Sequence, residues 1–576
     1  MDVYSNISRL DTASVLLTQY HHPLLLSQNF ALLAQSAKKG SNMWSKFCKR
    51  VKSILLQILS FFINREINNC TFKLKRTQVQ QSSGFSDHIF KPPVNPQNMH
   101  FEITSKDIMG RIGKLHTPHG TVETPALMPV INPNIDFISP SDLKKYGAEI
   151  MITNAYIIFR NRKLREKALK KSLHKLLGVD MPVMTDSGSF QLMVYGDLEI
   201  NNREIVSFQN EIGSDIITPL DIPTPPDADV KTAESDLEET IRREREAKEI
   251  LRSVGGKSLL SLPIQGSTHY RLRKTSAKEA NEIDGDVFAI GGVVPLLDAY
   301  RFPEVSRIIL TVKSVLNPTK PVHLFGAGHP MVFAIYTAMG IDLFDSAAYA
   351  LYAKDDRYLT PHGTLKLQEL HYLPCSCPVC ISVTPEELRK MEKGERAKMI
   401  AEHNLYASFE EIRRVKQAIK NGELFELVER RIRSHPYLIQ AWREIERFYE
   451  IVEKHDPSTK KVFFYLGKES LFRPAVRRHQ NRVLNVSVEK DEIVISSDLG
   501  VNADFYLKPA FGVVPAELME SYPAGHAEMY DDMEDEAFRI AIEGLKKFVE
   551  RHKGKRIRLI VDERWKKFIG ELDVQS

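Results

Sequence analysis

Eight short apolar runs, each closing on a polar residue or a glycine and each followed by a segment of helical character, recur between residues 124 and 347. They read TPALMPV (124–130), EIMITN (149–154), PVMTDSG (182–188), DIITPLD (215–221), LLSLPIQG (259–266), DVFAIGG (286–292), PVHLFGAG (321–328) and DLFDSA (342–347). Continuous rather than alternating apolar runs suit strands buried on both faces of a parallel sheet. Amphipathic stretches such as the charged run 234–254 lie between them. Eight units over about 225 residues is the count of a (β/α)8 TIM barrel. A doubly wound open sheet is the alternative, but it would more usually show roughly five to seven units and a glycine-rich first turn. The expected class is α/β.

The chain of 576 residues is longer than one barrel, so further domains are expected. Residues 1–98 hold twelve Lys and Arg against four Asp and Glu, whereas the remainder holds 67 against 70. The basic excess therefore belongs to the N-terminal stretch, and a nucleic-acid site on the main body must be a local patch. The expected division is a basic, poorly ordered extension over 1–98, a catalytic barrel with a zinc-binding tail over 99–440, and a smaller α+β accessory domain over 441–576. Within the extension, SKFCKRVKSILLQILSFFI is a possible basic amphipathic helix for a membrane or a partner. Met99 is a possible alternative start. The longest apolar run there is far short of the ~20 residues that span a bilayer, and Asp2, Arg9 and Asp11 interrupt any leader-like core. A cytoplasmic protein is expected, with no membrane partner.

Three of the five cysteines fall in Cys375-Ser376-Cys377-Pro378-Val379-Cys380. Three thiolates at this spacing need a fourth ligand to close a tetrahedral zinc site, and His362, His371 and His403 are candidates. A closed Cys3His site is structural, because it leaves no position for a catalytic water. Helical spacing is expected from Pro385 to about Lys454. Beyond it, KVFFYLG (461–467) and KRIRLIVDE (555–563) read as strands flanking a helix over 534–552.

The active site of such a barrel lies at the C-terminal ends of its strands. Those ends carry Asn154, Asp186-Ser187-Gly188, Asp221, Gln265-Gly266, Gly291-Gly292, Gly326 and Asp345. Three converging carboxylates perturb one another's ionisation, which suits nucleophile and acid/base roles. The small residues leave room for a flat ligand against the backbone. Phe190 could stack on an aromatic ring, and the amide of Gln265 suits a nucleobase edge.

These residues resemble a known family. Thr185-Asp186-Ser187-Gly188-Ser189-Phe190-Gln191, Leu262-Pro263-Ile264-Gln265-Gly266, Ala289-Ile290-Gly291-Gly292, Leu343-Phe344-Asp345-Ser346 and the cysteine tail are similar, in order, to the tRNA-guanine transglycosylases. The likeness covers roughly residues 100–405. Ala347-Ala348-Tyr349-Ala350-Leu351-Tyr352-Ala353, with 463–479 and 511–523, resembles the archaeal branch.

The resemblance implies base exchange in tRNA, in which a carboxylate displaces guanine from ribose C1′ and an incoming base takes the sugar back. It implies Asp345 as nucleophile and Asp186 as general acid/base. Asp221, Gln265, Gly291, Gly292, Ser187 and Phe190 would form the base site, and Cys375, Cys377, Cys380 and His403 would hold one structural Zn2+ per chain. The archaeal branch inserts 7-cyano-7-deazaguanine at position 15 of the D-arm, toward archaeosine.

Exposing a base buried in the tRNA core requires contacts to RNA backbone, for which the basic stretches 160–171 and 473–482 are candidates. Archaeal members commonly end in a PUA domain. None is evident here, and the expectation is that the module is absent or supplied by another chain. A homodimer is expected by family precedent. The rival readings are a queuine-type enzyme acting on the anticodon, a non-catalytic tRNA-binding partner subunit, and a generic barrel glycosidase. The 347–353 segment argues against the first, retention of both Asp186 and Asp345 against the second, and the base-edge residues and cysteine tail against the third.

Overall fold

The computed structural model describes residues 100–135, 137–189 and 200–570. The N-terminal extension, with its amphipathic segment, lies outside the described residues, as does Phe190.

All eight apolar runs are strands, and they close into a parallel barrel. They are β1 (Ala126–Ile131), β2 (Met151–Asn154), β3 (Val183–Asp186), β4 (Ile216–Ile217), β5 (Leu259–Ile264), β6 (Val287–Ile290), β7 (Val322–Leu324) and β8 (Leu343–Ser346). Each pairs with the next, and β8 returns to β1 with Asp345 opposite Met128. Helices stand between them. The longest before the tail, Val230–Val254, is capped by the Asp229 carboxylate on the Lys231 and Thr232 N–H groups and stops at Gly255 in the left-handed conformation, the usual start and stop chemistry.

The barrel interior is packed, with Met128, Ile152, Met184, Ile216, Leu259, Val287 and Leu343 forming one buried cluster. That cluster also includes Phe101, Leu115 and Val122, which come from a three-stranded antiparallel sheet (Phe101–Asp107, Gly110–Thr117, Gly120–Thr124). This sheet closes the N-terminal mouth. Two aspartates at that end anchor it. Asp342, just before β8, takes a bidentate pair from Arg111 at 2.7 and 2.8 Å and the Val322 N–H at 2.8 Å. Asp215, just before β4, accepts the backbone and imidazole of His119, the imidazole of His174 and the Val183 N–H, all within 2.9 Å.

Past the barrel, helices Lys393–Asn421, Leu424–Ile432, Pro436–Arg443 and Tyr449–His455 occupy the region expected to be helical. Their buried residues, as far as Val452, share the main core. A second core begins at Phe463. It is built on a four-stranded mixed sheet, in spatial order Gly512–Pro515, Phe505–Lys508, Glu492–Ser496 and Arg556–Ile560, with helices that include Asp535–Arg551.

Buried ions join the two cores. Arg473 is 2.7 Å from Glu426 and 3.2 Å from Glu429, and its guanidinium lies 4.4 Å from the ring centroids of both Phe425 and Phe463. Lys460 bridges Asp107 and Asp456 at 2.5 and 2.7 Å. Arg478 is likewise buried, against Glu453 and Asp456. The expectation that 473–482 forms a basic RNA-contact stretch is thus corrected for Arg473 and Arg478, whose charges are committed internally; only Arg477 and Arg482 of that stretch's arginines are exposed. The other candidate, 160–171, is largely exposed along the helix Arg162–Lys171. Among the described residues no helix is long and apolar enough to cross a membrane.

Candidate active site

The C-terminal strand ends open into a cavity of about 1250 Å³ lined by Asp186, Asp221, Gln265, Gly291, Gly292 and Asp345, with Ser187 beside them. The structure thus brings together every described residue singled out for the chemistry and the base site.

Asp186 ends β3, directly across from Asn154 at the end of β2. The Asn154 side-chain amide donates to Asp186 Oδ1 at 2.5 Å, and the Gly188 N–H donates to the same oxygen at 3.0 Å. Burial pushes the Asp186 carboxyl up to about 7, against the Gly188 bond, and the negative charges of Asp345 and Asp221 add to the rise. A carboxyl poised near neutrality exchanges a proton readily with a reacting base.

Asp345, in β8, carries both of its hydrogen bonds among the described residues on Oδ1. The imidazole Nε2 of His323 lies 2.8 Å away and the Gly326 N–H 2.7 Å away.

Asp221 follows β4. Its Oδ2 accepts a 2.5 Å bond from the Gln265 amide, and its own N–H donates to Ser189 Oγ at 3.0 Å; Ser189 in turn bonds Ser187 Oγ. Burial raises the Asp221 pKa, opposed by its bonds to Ser189 and Gln265. The Gln265 Oε1 is buried without a hydrogen-bond partner among the described residues. Gly291 and Gly292 keep this recess open. A Cβ on Gly291 would sit 2.4 Å from Gln265 Nε2, and Gly292 has φ +69°. Donors, acceptors and bare backbone thus converge on one recess, which suits the polar edge of a planar heterocycle.

Four residues around this site were not singled out from the sequence for the chemistry or the base site. Asn154 was visible as a strand end, but its partner was not. Ser189 was visible only as a small residue leaving room for a flat ligand; its bond to the Asp221 N–H was not. His323 lies within an apolar run, where the simplest reading is core. Arg273 is fully buried behind Gly291, donating to the carbonyls of Ile264, Ser267 and Gly291 at 2.6–2.8 Å. It makes no ion pair among the described residues, and nothing in its sequence neighbourhood signals that placement.

The cysteine tail gathers as a second site. Cys375, Cys377, Cys380 and His403 place their ligand atoms within 4.8 Å of one another. His403 Nδ1 is 3.5 Å from Cys377 Sγ and 3.3 Å from Cys380 Sγ, spacings that match the edges of a tetrahedron with ordinary zinc–ligand bonds. Its Nε2–H donates to the Leu359 carbonyl at 3.1 Å, which fixes the tautomer that turns the Nδ1 lone pair to the thiols. Of the three candidate histidines, only His403 joins the cluster; His362 and His371 are exposed elsewhere. The cluster can hold a metal ion.

Comparison with known proteins follows the same lines. A family model described as queuine tRNA-ribosyltransferase matches residues 106–437. A protein of Archaeoglobus fulgidus named tRNA-guanine(15) transglycosylase is 57% identical over 484 residues, spanning 83% of this chain and 99% of the relative. Proteins of the same name from Pyrococcus furiosus and Methanocaldococcus jannaschii are each 49% identical, over 76% and 75% of this chain and 72% and 68% of their own lengths.

Proposed function

We propose that this chain, which belongs to the tRNA-guanine transglycosylase family, exchanges guanine at position 15 in the D-arm of tRNA for 7-cyano-7-deazaguanine, in archaeosine formation. The observation that carries the reading is the carboxylate set at the strand ends: one acid held near neutrality, one carboxylate anchored by a single oxygen, and a third locked to Gln265 beside bare glycine backbone. Relatives of the archaeal type, named for position 15 and about half identical, support the site of exchange over the anticodon. A binding-only partner subunit would need neither Asp186 nor Asp345.

In this reading Asp345 attacks ribose C1′, the bond from C1′ to guanine breaks with its electron pair leaving on the base, and Asp186 supplies the proton. The covalent ester neutralises Asp345. One of the two charges that raise the Asp186 pKa is then gone, which favours the carboxylate that Asp186 has become and leaves it ready to take the proton of the incoming heterocycle. Asp221, Gln265, Gly291, Gly292 and Ser187 hold the base edge, and Phe190 stacks on its face.

Cys375, Cys377, Cys380 and His403 hold one Zn2+, which closes the tail and takes no part in exchange. A homodimer acting in the cytoplasm completes the proposal. A separate PUA-containing chain is a further part of it. Incorporation of labelled guanine into a tRNA transcript tests the activity. Incorporation should survive deletion of the anticodon arm and vanish when position 15 is changed; the reverse pattern would restore the queuine-type reading. Zinc content should be one per chain and fall in His403→Ala.

A further inference from the structure

We propose that His323 is the positioning residue of Asp345. Together with the Gly326 N–H it fixes Oδ1, so that Oδ2 is the oxygen that attacks the ribose and later releases it. The inference rests on the reading of Asp345 as nucleophile.

The geometry is specific. His323 lies in β7, is 0% exposed, and packs its ring 4.4 Å from that of Phe325. A carboxylate offers only lone pairs, so Nε2 must carry the hydrogen in the 2.8 Å bond to Asp345 Oδ1. The other ring nitrogen, Nδ1, is buried and has no hydrogen-bond partner among the described residues. As core filler, a ring that leaves one nitrogen unsatisfied is inferior to Leu or Met. Its one polar contact among the described residues is Asp345, and that is the contact such a residue would be kept for. The second donor is equally constrained. Gly326 has φ +68°, and a Cβ there would sit 2.3 Å from Val294 Cγ2, so glycine brings this N–H to Oδ1 without strain or clash. Asp345 Oδ2 makes no hydrogen bond among the described residues, and Asp345 lines the cavity.

Two donors on one oxygen do more than stop the carboxylate rotating. As the C1′–Oδ2 bond forms and guanine departs with the C1′–N pair and a proton from Asp186, Oδ1 becomes the ester carbonyl oxygen and keeps both bonds. When the incoming base attacks C1′ and gives its proton to Asp186, the C1′–Oδ2 pair returns to the carboxylate. Charge then reappears on Oδ1, where His323 and Gly326 receive it. The pair of donors therefore orients the attack and improves the carboxylate as a leaving group.

The test compares His323→Leu and His323→Gln in the zinc-loaded full chain, with Asp345→Asn as reference. Guanine exchange into tRNA transcript and trapping of the RNA–protein ester are the readouts. Removal of one preorganised donor costs on the order of 10²-fold in rate. The expected result is such a loss in kcat for His323→Leu, with KM for tRNA unchanged and an ester that persists longer when chased with guanine. His323→Gln, whose amide can donate to Oδ1, should recover about tenfold or more of that loss. A His323→Leu rate within about threefold of wild type overturns the inference, given that a lost oxyanion-type donor should cost far more; so does a loss confined to KM, or a Gln variant no better than Leu. If Asp345→Asn still forms the ester, the nucleophile reading itself is wrong and this inference goes with it. If Asp345→Asn abolishes the ester while His323→Leu is indifferent, only this inference fails.

Discussion

The two ends of the barrel use the same side chain to opposite effect. At the N-terminal end, Asp215 and Asp342 are surrounded by donors on both carboxylate oxygens. Burial pushes Asp215 upward, but His174, the Val183 N–H and His119 outweigh it and hold the carboxyl below its ordinary value. At the C-terminal end, Asp186 and Asp345 are each bonded through one oxygen, and the other oxygen is without a hydrogen bond among the described residues. There burial and neighbouring carboxylates win, and Asp186 rises to about 7. An aspartate at a strand terminus is thus not informative by itself; the count of acceptor positions left unfilled on its oxygens separates an anchor from a reagent. This is the division of labour expected between the stability face and the chemical face of a barrel.

The contrast breaks most visibly at Asp345. Asp345→Asn should abolish the trapped ester and lower guanine exchange by about 10³-fold or more, with the thermal midpoint unchanged. Asp342→Ala should do the converse. It leaves Arg111 buried without its anion, so chemical denaturation should report a loss of about 3–5 kcal/mol, while exchange per folded molecule holds.

The titration behaviour of the two ends should also run in opposite directions. Asp186 keeps its proton to about pH 7 in the folded chain but only to about 3.8 when unfolded. Its contribution to stability is present in acid and is lost as pH rises toward 7. Asp215 has a folded value below 3.8, so its contribution is present above that pH and is lost as pH falls through the folded value. Unfolding curves of Asp186→Asn should lose the decline between about pH 4 and 7, and those of Asp215→Asn the rise at acid pH. Guanine exchange by the wild type should be bell-shaped around pH 7, because one half-reaction needs the Asp186 acid and the other its base. The smallest effect belongs to the exposed partner at the anchoring end: His119→Ala should cost about 1 kcal/mol or less by denaturation.

The barrel was legible because a strand buried on both faces leaves an unbroken apolar run, and all eight runs have that form. The cysteine-tail cluster was legible to within a choice among three histidines, since spacing constrains cysteines far more than the residue that folds back on them. What stayed hidden was pairing at long range. Asn154 meets Asp186 only because β2 and β3 are neighbours in register. His323 reads as core until β8 places Asp345 beside it. Arg473 and Arg478 read as a basic surface patch because their carboxylate partners lie 20 or more residues away on other helices. Local pattern reports which way a side chain faces far better than what it faces.

The guanidinium of Arg473, clasped between Phe425 and Phe463 with Glu426 and Glu429 at its edges, bears on how this protein can be taken apart. A shortened barrel ending before residue 460 would leave Glu426 and Glu429 without their cation and strip the Phe425 ring of its cover. Such a fragment would gain those liabilities in one step and be prone to clump. The C-terminal segment is therefore a poor candidate for swapping between relatives as an independent cassette, unless the two glutamates on the barrel side travel with it.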